Sequence, residues 1–507
     1  MGTKSQIKMG AMLSYVSIAL NIISGLLYTP WMVETIGKSQ YGLYTLATSL
    51  ITLFLVDFGL SSATSRYLSK YNAEGDRESA ERFLGATYKL YLTIDAVIIV
   101  ILIVIYFLLD KIYIKLTPEE MEQFKVVYLI SAVFSVINFP CVTFKGILNA
   151  YEKFVPLKMA DLLYRVFLVG FTVVALLLGY GLYAMVSVHA LVGLLKLLYE
   201  FIVIKKTVPL KVRFKKTDKG LYKEIFSYSL WVTVLSLATL LVINITPSIL
   251  GMVANSTDIA VFGIVTTLEG YTYTITTAIN GMFMPRISKI LTKNDGETQL
   301  NRLFLSVGKF QFVLNGLIVV GIAVVGNSFI QLWMGNGYEM AYYGAVLVIL
   351  PGLFFNPLQI ANTTLAVTRK VKHAALVNLL MGVLNVVLSL PLSKNFGVIG
   401  ACISICIARF VRVILLNILC HKILPLNIPK FIKRCYLPMS IPVVLTLAVG
   451  LAINHLVPDS GWLTFLIKGT AVVIVYAVLV LVIGLRKSER KNLLEMFKKF
   501  MHLKKDV

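Results

Sequence analysis

Charge is scarce in this chain, and negative charge scarcest. Only 14% of its 507 residues are charged, with 25 Asp and Glu, five His and five Cys. No HExxH or DxD sequence is present. The histidines (189, 373, 421, 455 and 502) are scattered. Cys141, Cys402, Cys406, Cys420 and Cys435 are odd in number and lack CxxC spacing, so they read as small apolar residues rather than disulfides or a thiol redox centre. Gly37-Lys38-Ser39 looks like the end of a P-loop, but the required upstream glycine position holds Met32. Long hydrophilic stretches are missing too. The longest segment between apolar runs is about 20 residues, too short for a nucleotide-hydrolysing domain. These absences argue against an enzyme.

Apolar residues make up 58% of the chain and the mean hydropathy is +0.82, far outside the range of soluble domains. About 20 mostly apolar residues suffice for a helix to cross a bilayer, where only intrahelical hydrogen bonds can satisfy the backbone. About fourteen such runs occur, at 9–33, 41–63, 83–108, 126–149, 157–179, 181–204, 225–250, 259–284, 303–325, 340–366, 374–393, 396–420, 435–455 and 462–485. The first is too long for a signal peptide and lacks an A-x-A site. The expected fold is an all-α polytopic membrane protein.

The net charge of +23 raises nucleic acid as a partner, but its distribution argues otherwise. With a cytoplasmic N-terminus, about 35 of the 48 Lys and Arg fall in inside segments and about 5 in outside loops. That asymmetry follows the positive-inside rule and places both termini in the cytoplasm. Basic segments next to the membrane also attract anionic lipids.

The spans form two halves offset by roughly 216 to 220 residues. Tyr44-Thr45-Leu46-Ala47-Thr48-Ser49-Leu50 sets against Phe262-Gly263-Ile264-Val265-Thr266-Thr267-Leu268. Arg66 pairs with Arg286, Arg82 with Arg302, Lys89 with Lys309, Asn138-Phe139-Pro140 with Phe355-Asn356-Pro357, Lys153 with Lys370, and Lys196 with Arg412. Six spans per copy is an even number, so the copies are parallel repeats related by an axis along the bilayer normal. The division expected is a six-helix lobe over 1–204, a basic linker over 205–224, a second lobe over 225–420, an appended helix pair over 421–485, and a basic amphipathic tail over 486–507. Leu493, Leu494, Phe497, Phe500 and Met501 share one face of that tail.

Ionisable residues inside spans are costly and mark candidate sites. Asp161 and Arg165, like Lys196 and Glu200, are four apart and can neutralise each other along one helix. Arg409 and Arg412 share a face about 12 to 17 Å from the cytoplasmic end of their span, too deep to snorkel easily. They are expected to face a cavity, with Lys196 at the repeat-related depth. Lys145 lies near the inner end of its span. Glu269 and Asp57 are the acidic outliers, open to two readings: reversible protonation or Na⁺ binding, or counter-ions for the arginines.

The chain resembles the polysaccharide and oligosaccharide flippases of the MATE-like multidrug, oligosaccharidyl-lipid and polysaccharide exporter superfamily. The resemblance is carried by Leu26-Leu27-Tyr28-Thr29-Pro30, Gly37-Lys38-Ser39-Gln40-Tyr41-Gly42-Leu43-Tyr44, Asp57-Phe58-Gly59-Leu60, and the openings Gly181-Leu182-Tyr183-Ala184 and Gly397-Val398-Ile399-Gly400. It implies two six-helix lobes in a V with up to two further helices, in a bacterial cytoplasmic membrane. It also implies movement of undecaprenyl-diphosphate-linked oligosaccharide from the inner to the outer leaflet, beside polymerase or glycosyltransferase machinery. Arg409, Arg412, Lys196, Arg165 and Lys145 would then contact the diphosphate, with Glu269 and Asp57 coupling transport to H⁺ or Na⁺ and no cofactor. A multidrug antiporter of the same fold, a lipid II flippase and a glycan polymerase or ligase are the alternatives.

Overall fold

The computed structural model describes residues 3–54, 57–214, 219–277, 283–458, 461–486 and 490. Among these the regular structure is helical throughout. The first helices are α1 (Thr3–Ile36), α2 (Lys38–Phe54), α3 (Leu60–Glu74), α4 (Arg77–Ile112), α5 (Pro118–Asn138), α6 (Thr143–Ala150), α7 (Phe154–Leu177) and α8 (Leu182–Thr207). Then come α9 (Lys219–Leu240), α10 (Thr246–Val253), α11 (Ser256–Thr277), α12 (Phe283–Leu291) and α13 (Gly296–Met334). The remainder are α14 (Glu339–Ile349), α15 (Gly352–Phe355), α16 (Gln359–Val367), α17 (Val371–Ile423), α18 (Ile428–Phe431), α19 (Leu437–Leu456) and α20 (Trp462–Leu479). The apolar face expected in the tail lies outside the described residues.

Ten helical stretches among the described residues are long and apolar enough to cross a membrane. α4 shows the pattern such a helix needs. Leu84, Thr87, Tyr91, Asp95, Ile98 and Leu102 recur every three or four residues and are buried, while Val97, Val100, Ile103, Val104 and Phe107 are exposed. Lipid tails are as apolar as these side chains, so the outer face carries no penalty. Helix ends are fixed locally. Asp76 accepts from the Ser79 amide at the start of α4, and Thr117 and Glu120 form a capping box at α5 with Pro118 in its first turn.

Several expected spans are interrupted. The run 41–63 is broken between α2 and α3, where Phe58 (φ 46°) and Gly59 (φ 67°) take left-handed backbone. Gly59 is required there twice over, because a Cβ would come within 2.8 Å of Val232 Cβ and 2.9 Å of the Ser229 oxygen. α17 is 53 residues long and would reach about 80 Å if straight, far beyond a bilayer core of about 30 Å. Gly397 (φ 55°, ψ −135°) breaks it into two arms, and Asp258 accepts from the Val398 amide at 3.4 Å.

The repeat reappears in backbone geometry. Pro140 and Pro357 each sit in a 3-10 turn, Phe139–Val142 and Asn356–Leu358. Further along, Glu152 (φ 54°) and Arg369 (φ 60°) end α6 and α16 in the same left-handed turn. The Lys153 amide donates to the Leu148 carbonyl and the Lys370 amide to the Leu365 carbonyl, both at 2.8 Å, as in a Schellman motif. Each of these pairs is separated by 217 residues (357 against 140, 369 against 152). Non-glycine residues adopt this conformation at a cost of roughly 1–2 kcal/mol, so its recurrence at matched positions is not a default of the chain.

The chain divides into two compact units, Met1–Ile264 with Ala375–Ser404, and Val265–Ala374 with Ile405–Val507.

Candidate functional site

Charged and polar side chains gather at defined places within each unit. In the first, Asp161 of α7 is the centre. Its Oδ1 accepts from Lys196 Nζ of α8 at 2.7 Å and its Oδ2 from Lys158 Nζ at 3.5 Å. Lys196 also lies 3.9 Å from Glu200. The sequence allowed Asp161 to pair with Arg165 along one helix; the structure pairs it with Lys196 across to α8 and leaves Arg165 exposed. Helix α8 packs on α7, which brings position 196 alongside 161. Tyr164 and His189 share a hydrogen bond at 3.0 Å, and Lys196 Nζ sits 5.6 Å from the Tyr164 ring centre, in cation–π range. Exposed Lys145 of α6 lies within electrostatic reach of Asp57, Asp161 and Glu200.

Asp57 has a local task as well. Its Oδ1 accepts from the Ser61 amide and from the Tyr91 hydroxyl, both at 2.9 Å. It thereby caps the start of α3 directly after the Phe58-Gly59 break and ties it to α4.

In the second unit, Arg409 and Arg412 share a face of α17 as the three-residue spacing predicts, yet their surroundings differ. Arg409 donates to Glu269 of α11 at 2.9 Å and to the Val348 carbonyl at 2.8 Å. The cation and the acidic outlier are therefore one ion pair, with side chains only 17% and 16% exposed. The guanidinium of Arg412 lies 3.6 Å from the centre of the Phe355 ring, and its Nε is buried with no partner. Among the described residues no carboxylate pairs with it. A guanidinium offers paired N–H donors whose spacing matches a phosphate or carboxylate.

Phe355 opens a polar knot around the 3-10 turn. Asn356 donates to Asn315 Oδ1 at 2.6 Å, Asn315 to the Gln311 carbonyl at 2.7 Å, and Gln311 to the Thr276 carbonyl at 2.9 Å. All four residues are buried, and together they hold α11, α13 and the broken helix around Pro357 in register. Elsewhere in this unit, a cavity of about 820 Å³ is lined by Arg286, Lys289, Lys293 and Arg302, with Phe283, Ile290 and Leu303 as apolar surface. Among the described residues no carboxylate lines it.

Sequence reading missed Asp95, the lone acid inside the apolar run of α4, which was visible as such. It had no means to find Phe355, Tyr164 or Lys158, because their roles depend on contacts between helices. Among the described residues no group of three His, Cys, Asp or Glu is placed to hold a metal ion.

The pattern of the family described as "Polysaccharide biosynthesis protein" matches residues 8–291. The "Uncharacterized membrane protein EpsK" of Bacillus subtilis (strain 168) is 23% identical, covering 95% of this chain and 96% of its own. The "Putative O-antigen transporter" of Salmonella typhi is 23% identical, over 66% of this chain and 77% of its own. Among solved structures, the lipid II flippase MurJ in an inward closed conformation superposes with a TM-score of 0.70 at 16% identity, covering 93% of this chain and 97% of that one. At that identity the likeness is one of fold. Of these, the Salmonella typhi protein is named a putative transporter and the solved structure a flippase. Matched to the family pattern over more than half its length, the protein is a multi-pass membrane protein that belongs to the polysaccharide biosynthesis protein family.

Proposed function

We propose that the protein is a flippase for a diphosphate-linked glycolipid, carrying an undecaprenyl-diphosphate oligosaccharide from the inner to the outer leaflet by alternating access. The observation that carries this reading is Arg412, a guanidinium deep in a span, stacked on Phe355 and without a carboxylate partner among the described residues. A cation in that position is expensive unless an anion visits it. Arginine matches a diphosphate better than lysine does, because its fork offers paired N–H donors. Lys196 is partly neutralised by Asp161 and Glu200, and Arg165 and Lys145 are exposed; all three are proposed to guide the substrate's phosphates rather than hold them.

The basic cavity at Arg286, Lys289, Lys293 and Arg302 is proposed to lie at the cytoplasmic face, where the charge asymmetry of the loops puts both termini. About fourteen spans arranged as two parallel six-helix lobes plus an appended pair complete the proposed architecture. The recurring turns at Glu152 and Arg369 favour it. A cation-exporting antiporter is less well supported, since the acid Glu269 is neutralised by Arg409. Coupling to H⁺ or Na⁺ is part of the proposal, with Asp57 and Glu269 the residues the sequence nominates.

Purified protein in proteoliposomes tests the reading. Undecaprenyl-diphosphate oligosaccharide should cross, and a monophosphate-linked analogue should cross at least several-fold more slowly. Equal rates for the two would remove the diphosphate from the account. Transport of lipid II at the same rate as the oligosaccharide would assign the protein to peptidoglycan precursors instead.

A further inference from the structure

Most acids within the spans have donors. Glu269 has Arg409, Asp161 has Lys196 and Lys158, and Asp57 has the Ser61 amide and the Tyr91 hydroxyl. Asp95 differs. It is 6% exposed, and its Oδ1 is buried with no hydrogen-bond partner. It lies twelve residues from the start of the apolar run 83–108 and thirteen from its end, about 18–20 Å from either, at the middle of the bilayer. An ionised carboxylate there without donors is too costly to persist, so it must take up a positive charge.

Its surroundings supply oxygens. The Tyr128 hydroxyl of α5 donates to the Leu102 carbonyl of α4 at 2.9 Å, which sets the register of the two helices. Seven residues on from Tyr128 and seven back from Leu102 bring Ser135 and Asp95 to the same depth within about one turn, with Ser131 a turn away. Ser131 and Ser135 are both buried, and Ser131 Oγ has no partner. The 3-10 turn Phe139–Val142, which also packs on α4, ends α5 just beyond Ser135. Interrupted helices of this kind present carbonyl oxygens to ions in transporters.

The titratable groups that face this part of α4 are few. Tyr88 and Tyr91 are on α4 itself, Asp57 precedes α3, Tyr128 is on α5 and Cys141 is in the 3-10 turn. Glu200 of α8 shares electrostatic reach of Cys141 with Asp95. From α3 come Tyr67 and Tyr71, which pack on Phe83 two or more turns away, and from α9 the described titratable group is Tyr222 in its first turns. Among the described residues no cation acts on Asp95.

We propose that Asp95, with the hydroxyls of Ser131 and Ser135, is a binding site for a monovalent cation, H⁺ or Na⁺, between α4 and α5. Its use in driving transport rests on the flippase reading; its occupancy does not. Binding would discharge the carboxylate.

A hydrophobic carbodiimide, dicyclohexylcarbodiimide, reads the site without transport. It adds to a protonated carboxyl group from the lipid phase and leaves a stable N-acylurea, which mass spectrometry locates. In wild-type protein Asp95 should be labelled at about pH 5 and lose most of its labelling by about pH 9, with Asp95→Asn as the unlabelled control. If Na⁺, but not choline, protects at fixed pH, the cation is Na⁺; if Na⁺ has no effect and only pH matters, it is H⁺. Absence of label at Asp95 at every pH, or labelling indifferent to both pH and Na⁺, overturns the proposal. Protein that labels as expected yet moves no glycolipid would overturn the flippase reading and leave the cation site standing.

Discussion

The Arg409 guanidinium donates to the Glu269 carboxylate at 2.9 Å, so the deep cation and the acidic outlier of the sequence are partners. That pairing offsets part of the cost of each charge in the membrane. Arg412, one turn on, has no such partner among the described residues and is the cation proposed to act on a ligand.

Glu269→Gln should therefore destabilise the protein on the order of 3 kcal/mol, because it leaves the mostly buried Arg409 with only the Val348 carbonyl and no counter-charge. Glu269→Gln with Arg409→Gln should recover most of that loss, which thermal unfolding in detergent will measure as a positive coupling between the two sites. A single Glu269→Gln variant as stable as wild type would free Glu269 for the coupling role.

Gly59→Ala tests the break between α2 and α3. The added methyl meets both a left-handed backbone and a wall formed by Val232 and Ser229, for a combined cost of roughly 2–4 kcal/mol. Gly75→Ala is the comparison, since Gly75 is also left-handed (φ 71°) but has open space around it, and should lose only about 1–2 kcal/mol. Equal losses at the two positions would show that close packing at Gly59 contributes nothing.

Much of this was written in the chain. Apolar run length marked the spans, and the proline and lysine pairs at a 217-residue offset marked positions that turn out to share 3-10 and left-handed turns. Asp57-Phe58-Gly59-Leu60 was legible as a family signature but not as a helix break with a carboxylate cap, because a broken apolar run has the same hydropathy as a continuous one. Partner choice was the least legible layer. Asp161 had Arg165 on its own helix and Lys196 on the next, and only the packing of α7 on α8 decides for Lys196. Phe355 was indistinguishable from other apolar residues until Arg412 was found stacked on it.

Orientation is tested by accessibility. In a protein stripped of its five cysteines, a cysteine replacing Glu119 should react with an impermeant thiol reagent in intact cells, and one replacing Asp295 should react only after lysis. Reaction of the Asp295 position from outside would invert the topology and move the basic cavity to the wrong leaflet.

Arg412 is proposed to receive the diphosphate, and flipping of undecaprenyl-diphosphate oligosaccharide in proteoliposomes at matched protein levels measures whether it does. Loss of one charge-assisted contact is worth about 1.5–3 kcal/mol, so Arg412→Gln should weaken substrate affinity by roughly 10- to 150-fold. Arg412→Lys should restore only part, because charge returns without the fork. Arg412→Gln protein that inserts normally and flips the glycolipid at the wild-type rate and affinity would show that Arg412 does not hold the diphosphate.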